Sequence, residues 1–246
     1  DSTGFAYPVA KLHRKMVFNT LINHVQNYPP IFTAVCHPCS SEALEGAIDA
    51  AESDLITPIL VGPEARIQAI AEEHGLDISP YQLVDARHSH DAAAKSVALC
   101  RSGEAESLMK GSLHTDELMG AVVPSATGLR TERRISHIFV MDVPTYPRPL
   151  LITDAAINIL PDLDDKVDIL KNAIDLCHAL GIVKPKVAIL SALETVNQQI
   201  PTTLDAAALC KMADRGQIEG GIIDGPLAFD NAVSKEAALI KGIRSE

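Results

Sequence analysis

The chain has 246 residues, of which 47% are hydrophobic and 22% charged, and its formal net charge is −11. This composition is typical of a globular protein with a well-buried core, and it excludes intrinsic disorder and fibrous folds. An acidic chain without a cluster of Lys and Arg lacks the basic surface that a nucleic-acid backbone or an anionic membrane needs. We therefore expect neither nucleic acid nor membrane as a partner.

Cysteine usage and hydropathy indicate the compartment. The five cysteines are odd in number and scattered, which does not fit a disulfide framework and favours a reducing environment. No apolar run approaches the roughly 18 residues of a membrane span, and the N-terminus shows no signal-peptide pattern. A cytoplasmic location is expected.

Short apolar runs alternate with longer segments of helical period along the chain, which predicts βα units, a mostly parallel sheet and an α/β fold class. In chain order, strands are predicted at residues 31–35, 58–61, 82–84, 107–110, 135–141, 150–152, 187–190 and 222–223. Helices are predicted at residues 64–74, 164–180, 201–215 and 231–241, and the first three are each followed by a glycine, the usual residue after a helix.

Residues 142–149, DVPTYPRP, carry three prolines and can form neither a regular helix nor a central strand. We predict that this stretch crosses between two α/β lobes, 1–141 and 142–246. The alternative is a long loop inside one domain. The chain stops directly after the last predicted helix, where the pattern would next supply a strand, so we expect either a natural edge or a missing segment.

Ligands of open α/β sheets bind beyond the carboxyl ends of the strands, and polar residues collect at those positions. They are residues 36–39, Gly62, Asp85, residues 110–115, Asp142, residues 153–154, residues 191–195 and residues 224–230.

The segment KGSLHTD, residues 110–116, is the most suggestive of these. Gly111 permits a tight turn after a strand, and a helix that begins near Thr115 would present free backbone N–H groups and the positive end of its dipole. Side-chain donors for a phosphate would be Lys110, Ser112, His114 and Thr115. The spacing matches neither the Walker A loop nor the Rossmann glycine pattern. The alternative is a Thr N-cap after a glycine turn, with no ligand.

Two other segments carry candidate charges. Residues 128–134, GLRTERR, hold Arg130, Arg133 and Arg134, and arginine binds phosphate or carboxylate through paired hydrogen bonds. The alternative is a solvated loop with ion pairs to Glu132. In residues 224–231, DGPLAFDN, the carboxylates of Asp224 and Asp230 are candidates for acid–base work or for Mg²⁺ binding; Asp230 alternatively caps its helix.

Two motifs are weaker. Cys36-His37-Pro38-Cys39 has the spacing of a redox pair, but packing of two buried cysteines is the favoured interpretation. Residues 85–91, DARHSHD, hold two imidazoles and two outer carboxylates that would suit a metal, although a polar loop is favoured here.

Six segments resemble, in order and spacing, the phosphate acetyltransferase/phosphate butyryltransferase family. They are SLMKGSLHTDELMGA (107–121), GLRTERRISHIFVMDV (128–143), LITDAAIN (151–158), DDKVDILKN (164–172), VAILSALETVN (187–197) and DGPLAFDNA (224–232). AVCHPCSSEALEGAIDAAE and ITPILVGPEARI are similar to the family's opening βαβ unit, so the resemblance covers nearly the whole chain. The subgroup it resembles most is fused behind an enoyl-CoA hydratase-like domain, and the N-terminus DSTGFAYPVAK is compatible with excision from such a fusion.

The resemblance implies a two-lobed architecture akin to isocitrate and isopropylmalate dehydrogenases, and a homodimer formed through the second lobe. The implied reaction is acyl-CoA + phosphate ⇌ acyl phosphate + CoA, with acetyl or butyryl as the acyl group, by direct transfer in an interlobe cleft. The implied partners are acyl-CoA and inorganic phosphate. No cofactor or metal is implied, since coenzyme A is a substrate.

The family pattern places the 110–115 turn, Arg130 and residues 224–230 around that cleft. Together with the polar strand ends it gives a predicted site. The catalytic residues are Asp224 and Asp230, and the substrate-binding residues are Lys110, Gly111, Ser112, His114, Thr115, Arg130, Asp154, Ser191, Glu194 and Asn231.

Two departures from the family pattern stand out. Met119 stands where the family usually has an arginine, and the family's S-R-A-D-S-like motif is not in the chain. We therefore expect the main catalytic segment beyond Glu246, both lobes to be incomplete, and little acyl transfer by these residues alone. The alternatives are a Mg²⁺-dependent decarboxylating dehydrogenase of the same fold and a non-catalytic dimerisation module of a fusion enzyme.

Overall fold

The structure, a computed structural model, describes residues 16–245. The N-terminal sequence that is compatible with excision from a fusion, residues 1–11, lies outside the described residues. The described chain forms two units, which we call the N-terminal unit (Phe18–Glu132) and the C-terminal unit (from Arg133 onward). This division precedes the Pro-rich stretch, whereas the sequence analysis places the lobe boundary directly before that stretch, at 141/142.

A parallel four-stranded sheet forms the centre of the N-terminal unit, with strand order β3-β2-β1-β4. The elements up to Glu132 are α1 (Met16–Val25), β1 (Ile31–Cys36), α2 (Ser41–Glu52), β2 (Ile56–Gly62), α3 (Glu64–His74), β3 (Gln82–Asp85), α4 (Ser89–Ser102), β4 (Ser107–Lys110) and α5 (Thr115–Val122). The four strands predicted in this region are confirmed.

Helices cover both faces of this sheet. On one face, Val35 and Leu60 pack against Leu44 of α2 and Ile67 of α3. On the other face, Ala34, Cys36, Ile59 and Val61 pack against α4 and α5. Burial on both faces explains why β1 and β2 are continuous apolar runs rather than alternating ones.

The C-terminal unit is built around two strand pairs, β5–β6 and β7–β8. Its elements are β5 (Ile138–Met141), β6 (Leu150–Thr153), α6 (Leu163–Ala179), β7 (Lys186–Leu190), α7 (Pro201–Asp214), β8 (Ile222–Leu227), α8 (Phe229–Val233) and α9 (Lys235–Ile240). β7 and β8 are parallel and joined through α7, and α6 and α7 share a core with them. The mixed α/β class with mostly parallel sheets is confirmed.

The Pro-rich stretch connects β5 to β6, which pair antiparallel within the C-terminal unit. The interpretation as a crossing between lobes is therefore wrong, and the alternative, a loop inside one unit, describes it. Proline lacks a backbone N–H, so the stretch can reverse the chain without leaving ladder donors unpaired.

The predicted single helix at 231–241 is also wrong, because α8 and α9 are separated at Ser234, whose backbone is extended (φ −127°, ψ 116°). The Ser234 hydroxyl accepts a hydrogen bond from Ala237 N (3.2 Å) and caps α9. A serine in this position offers the backbone a local partner that competes with helix continuation. None of the helices between residues 16 and 245 is both long and apolar enough to span a bilayer.

Candidate active site

The strand order of the N-terminal unit reverses between β1 and β4. From β1 the chain moves outward to β2 and β3 on one side, and β4 then pairs on the other side of β1. Open α/β sheets bind ligands at such a switch point, beyond the carboxyl ends of the strands. Cys36, the last residue of β1, is in register with Lys110, the last residue of β4. The loop after β1 and the 110–115 turn therefore begin side by side at the switch point.

Backbone contacts join these two loops. Gly111 N donates to Cys36 O (2.8 Å) and Ser112 N donates to His37 O (2.9 Å). A Cβ on Gly111 would lie 2.5 Å from both of these carbonyl oxygens, closer than real Cβ atoms approach, so only glycine fits. The chain bends directly after Gly111, at Ser112 and Leu113, and the reason for the glycine is this close backbone approach.

The Ser112 hydroxyl is already bonded within the unit. It donates to His37 O (3.0 Å) and accepts from Cys39 N (3.0 Å). A hydroxyl has one proton to donate, so Ser112 holds the loop after β1 and has no second proton for a phosphate. A direct contact of Ser112 with substrate stays a prediction.

Helix α5 begins one residue after His114, which is its N-cap, so the alternative of a Thr N-cap is wrong. The side chains of His114 and Thr115 are exposed, and the first-turn N–H groups of a helix have no intrahelical acceptor. The first turn also carries Asp116 and Glu117, which oppose an anion. Two hydrogen bonds partly offset the negative charge of Glu117, because its carboxylate accepts from His114 N (3.1 Å) and from the Ser89 hydroxyl (3.1 Å).

Two exposed cations lie in the same unit. The only hydrogen bond that Lys110 Nζ donates within residues 16–245 is to Gly111 O, at 3.4 Å. Arg130 is exposed and has no hydrogen bond or ion pair with any described residue. Both side chains are therefore available to an anion. Met119 is half-buried in α5.

The other two arginines of the GLRTERR segment belong to the C-terminal unit and pair with α6. Arg133 forms an ion pair with Asp175, and Arg134 Nη1 lies 3.1 Å from Asp165 Oδ1. The expected alternative, ion pairs within the loop to Glu132, is not what holds these arginines. They anchor the segment before β5 on α6.

Asp154 holds the loop that follows β6. Its Oδ1 accepts from His137 N (2.8 Å), and its Oδ2 accepts from both the backbone N and the side-chain Nδ2 of Asn158 (2.6 Å each). Burial raises the pKa of Asp154, but the hydrogen bonds from His137 and Asn158 outweigh it, so the pKa lies below its usual range. Both oxygens are occupied by this chain's own donors, and a role in substrate binding stays a prediction.

Charged and polar groups converge where the loop after β7 meets α8 and the end of α9. Lys241 Nζ lies 2.6 Å from Glu194 Oε1 and 3.0 Å from Asp230 Oδ1. Asn231, which is 5% exposed, donates to Glu194 Oε1 (2.7 Å). The hydrogen bond from Lys241 holds the pKa values of Glu194 and Asp230 below their usual ranges. Lys241 and Glu194 thus bring together three of the predicted site residues, Glu194, Asp230 and Asn231.

The two predicted catalytic aspartates occupy different settings. Asp224 lies within β8, which continues to Leu227, and not just beyond the strand as expected. Its Oδ1 accepts from Gly225 N (2.8 Å). Asp230 is in the first turn of α8, whose N-cap is Ala228, so the helix-cap alternative for Asp230 is wrong. No hydrogen bond between the two carboxyl groups occurs among residues 16–245.

Ser191 directly follows β7 and takes part in a hydroxyl pair. Its Oγ lies 2.7 Å from Thr202 Oγ1, and its backbone N donates to Leu227 O (2.9 Å). One hydroxyl of the pair donates to the other, so a second donor remains for another acceptor. Ser191 as a substrate contact stays a prediction.

The cysteines of the C-x-x-C motif are buried and unpaired. Cys36 ends β1, and Cys39 lies next to Ser40, the N-cap of α2. Burial raises the pKa of Cys36 to about 11 and also raises the pKa of Cys39. A reactive thiol needs a lowered pKa and access to solvent, so the packing interpretation is confirmed.

The polar residues of the 85–91 loop bond to helix starts. Asp85 Oδ1 accepts from Glu64 N (3.0 Å) at the beginning of α3, and His88 Nδ1 accepts from Asp91 N (3.3 Å) at the beginning of α4. Across residues 16–245, no group of three or more His, Cys, Asp or Glu side chains could hold a metal ion. Helix capping therefore explains this loop.

A family model described as phosphate acetyl/butaryl transferase matches residues 87–246. The chain belongs to this family. The matched range contains every residue of the predicted site, from Lys110 to Asn231, and the family predicted from the sequence segments is confirmed, with its acyltransferase class.

Curated relatives of the family extend over nearly the whole chain. A phosphate acetyltransferase of Rhizobium meliloti is 62% identical over 228 residues, which are 93% of this chain and 72% of that protein. A phosphate butyryltransferase of Clostridium acetobutylicum is 40% identical over 229 residues, 93% of this chain and 76% of that protein. The chain spans about two thirds to three quarters of the length of the curated relatives it matches.

The fold matches that of solved family structures. A phosphotransacetylase from Streptococcus pyogenes superposes with a TM-score of 0.71 at 18% identity, covering 94% of this chain and 78% of that one. The family model and the names of the curated relatives support the transferase over the oxidoreductase alternative. An isocitrate dehydrogenase-like architecture stays a prediction.

Two residues of these clusters were not predicted as site residues. Lys241 was assigned only to a helix end, because nothing in the local sequence relates it to Glu194, which is 47 positions away. His37 was considered among the polar strand ends at residues 36–39 and as part of a redox motif, but it was not given a role in the predicted site.

Proposed function

We propose that the protein transfers an acyl group, acetyl or butyryl, from coenzyme A to inorganic phosphate, and that the 110–115 turn holds the phosphate. The observation that carries this proposal is the position of the turn, at the switch point between β1 and β4 and directly before α5. There the positive end of the helix dipole, the exposed Lys110 and the Thr115 hydroxyl would act on the same anion.

The reaction requires two polar substrates to be held together. A phosphate oxygen attacks the thioester carbonyl carbon, a C–O bond forms, the C–S bond breaks, and the electron pair leaves with the coenzyme A sulfur. Binding both substrates in the correct orientation removes most of the entropic barrier, and donors placed at the developing oxyanion lower the rest. This balance of bonds uses no oxidant or reductant, and coenzyme A acts in it as a substrate; the proposal includes no cofactor.

Within this proposal, Arg130 supplies a free guanidinium for phosphate, because no described residue neutralises it. Asp224 is the better candidate for proton transfer of the two predicted aspartates. Among residues 16–245 its carboxylate bonds only to the N–H of Gly225, whereas Asp230 is paired with Lys241. Glu194 and Asn231 would shape the same end of the C-terminal unit.

The homodimer, the isocitrate dehydrogenase-like architecture, the fusion to a hydratase-like domain and the cytoplasmic location stay predictions. No observation on this chain favours the alternative of a non-catalytic dimerisation module.

The experiment is an assay of the full-length product of the gene. Release of free coenzyme A thiol is measured from acetyl-CoA and butyryl-CoA with and without phosphate, beside a Lys110→Met variant and a Lys184→Met control. Lys184 is an exposed residue of the loop between α6 and β7.

We expect phosphate-dependent thiol release that falls at least tenfold in Lys110→Met and is unchanged in Lys184→Met. Thiol release that does not depend on phosphate would reject the transferase proposal. Turnover of a 2-hydroxy acid with a nicotinamide cofactor and Mg²⁺ would instead favour the oxidoreductase.

A further inference from the structure

His37 lies at the switch point, directly after β1, and only 7% of the residue is exposed. Its φ is +55°, a left-handed value that among the described non-glycine residues is shared only with Asp54 (φ +56°). Such a conformation is unfavourable for most L-residues, although glycine adopts it readily and asparagine, aspartate and histidine are enriched in it.

The backbone of His37 connects the ends of three adjacent strands. Its N donates to Val61 O (2.7 Å) near the end of β2. Its carbonyl oxygen accepts from Ser112 N (2.9 Å) and from the Ser112 hydroxyl (3.0 Å) in the turn after β4. His37 itself follows β1. These hydrogen bonds fix the position of Ser112, and with it the position of the 110–115 turn, relative to His37.

The imidazole adds a contact that the backbone does not supply. His37 Nδ1 lies 3.2 Å from Ser112 O. A carbonyl oxygen can only accept a hydrogen bond, so Nδ1 carries the proton and donates it. His37 and Ser112 are therefore joined by three hydrogen bonds. The His37 ring N–H donates to the Ser112 carbonyl, and the Ser112 N–H and hydroxyl both donate to the His37 carbonyl.

We propose that His37 is a positioning residue for phosphate: by fixing Ser112 at its carbonyl, its N–H and its hydroxyl, it holds the 110–115 turn in the conformation that binds the anion. This inference rests on the proposed function and deepens it. The residue acts through Ser112 and does not touch the substrate. The C-x-x-C motif is thereby explained as a strand end and a helix start that flank a positioning histidine.

The test compares His37→Asn with His37→Gly in the full-length protein. Both replacements tolerate the left-handed backbone, and the asparagine amide occupies the place of Nδ1 and can donate to Ser112 O. Initial rates are measured against phosphate and against acyl-CoA, well below the melting temperature of each variant. Asp54→Gly is the matched control, because it introduces glycine at a left-handed residue between α2 and β2, away from the turn.

We expect His37→Gly to raise KM for phosphate about tenfold, with KM for acyl-CoA and kcat changed less than about twofold. Loss of an interaction that serves binding alone raises KM without lowering kcat. His37→Asn and Asp54→Gly are expected to stay within about twofold of the wild type in all three constants. Should the glycine variant not fold, His37→Asp takes its place in the same comparison, because aspartate tolerates the left-handed backbone and its carboxylate has no proton to donate to Ser112 O.

A double-variant cycle with Ser112→Ala provides an independent readout. His37 Nδ1 also lies 3.4 Å from Ser112 Oγ, so each variant removes this side-chain contact. If His37 acts through Ser112, the rises in KM for phosphate will therefore not multiply in the double variant. Equal KM for phosphate in the asparagine and glycine variants, or rises that multiply, would overturn the inference. A wild-type protein without phosphate-dependent turnover would reject the proposed function, which is a separate result.

Discussion

A Cβ atom placed on Gly111 would lie 2.5 Å from the carbonyl oxygen of Cys36. The backbone of the turn after β4 therefore packs directly on the backbone that ends β1, and Gly111 N donates to that same oxygen. Two adjacent parallel strands are thus in direct main-chain contact at their carboxyl ends. The anion-binding turn owes its position to this contact, and a side chain at residue 111 would push the two loops apart.

Gly111→Ala is expected to destabilise the protein by about 1–3 kcal/mol, the usual effect of overpacking a tight site, and to weaken phosphate binding. Gly120→Ala is the matched control. A Cβ there meets nothing within 4 Å, and alanine in a helix interior is favoured over glycine by about 0.5–1 kcal/mol. Denaturant unfolding of both variants checks this, and equal stabilities would contradict it.

The parts of the fold that follow from local pattern were predictable. The strand at 107–110 has the predicted bounds, and α3 ends at His74 as predicted, followed by Gly75 with a φ of +66°. These features are set by neighbouring residues in the sequence: an apolar run predicts a strand that is covered on both faces, and a glycine marks the end of a helix. Tertiary contacts did not change either of them.

Features that depend on distant partners were not predictable. The predicted strand at 135–141 begins only at Ile138, because the preceding backbone bonds to distant side chains, among them Asn158 Nδ2 on Ile135 O (3.0 Å). β8 runs beyond the predicted 222–223 through Gly225-Pro226, which has the pattern of a turn but lies in a two-stranded pair where proline is tolerated. In the candidate site, Gly111 was predicted from the local chain, as a glycine in a turn that follows a strand. The ion pairs of Arg133 and Arg134 were not predictable, because their partners lie on α6, far away in the sequence.

Arg130→Met is expected to lower phosphate-dependent turnover at least tenfold and to leave the melting temperature unchanged, because Arg130 is exposed and bonds to no described residue. Arg101→Met is the comparison. Arg101 Nη1 donates to Gly128 O (2.7 Å), so its loss should lower stability by about 1 kcal/mol and spare turnover. Unchanged turnover in Arg130→Met, with reduced turnover in Arg101→Met, would assign phosphate binding to residues other than Arg130.

Asp154→Asn is expected to reduce the dependence of stability on pH. The pKa of Asp154 lies below its usual range in the folded chain, so its carboxylate stabilises the fold above the unfolded pKa of about 3.9. That contribution is lost as pH falls through the lowered folded value. The stability difference between wild type and variant should therefore shrink below about pH 4.

Thermal unfolding between pH 3 and 7 measures this difference. Asp116→Asn is the control, because the exposed Asp116 carboxyl accepts no hydrogen bond among residues 16–245. A constant gap between wild type and Asp154→Asn at every pH would show that the Asp154 hydrogen bonds do not depend on its charge.

Cys36 is expected to resist alkylation in the folded protein at pH 8, because burial raises its pKa to about 11 and leaves the thiol protonated. After unfolding in denaturant, all five cysteines should react. Because the pKa of Cys36 is raised in the folded chain, the protonated thiol contributes fully to the free energy of unfolding below the unfolded pKa of about 8.5. This contribution is lost as pH rises toward 11. Ready formation of a Cys36–Cys39 disulfide at a potential of roughly −200 to −300 mV would contradict the packing assignment.

Phosphate is expected to raise the melting temperature through the start of α5. Binding to the folded state alone stabilises by RT ln(1 + [L]/Kd), about 2.7 kcal/mol at a hundredfold excess over Kd, so the shift should grow with phosphate concentration. The exposed side chains of His114 and Thr115 add hydrogen-bond donors at the start of the helix. The double variant His114→Ala/Thr115→Ala should therefore reduce the shift. It should not abolish the shift, because the backbone N–H groups remain.

His74→Ala, at the last residue of α3, removes an exposed imidazole away from the turn and should leave the shift intact. Sulfate should act like phosphate, and chloride at the same ionic strength should not, which separates binding at a site from screening of the net charge of −11. An unchanged shift in the double variant would place the anion elsewhere and would count against the turn as the phosphate site.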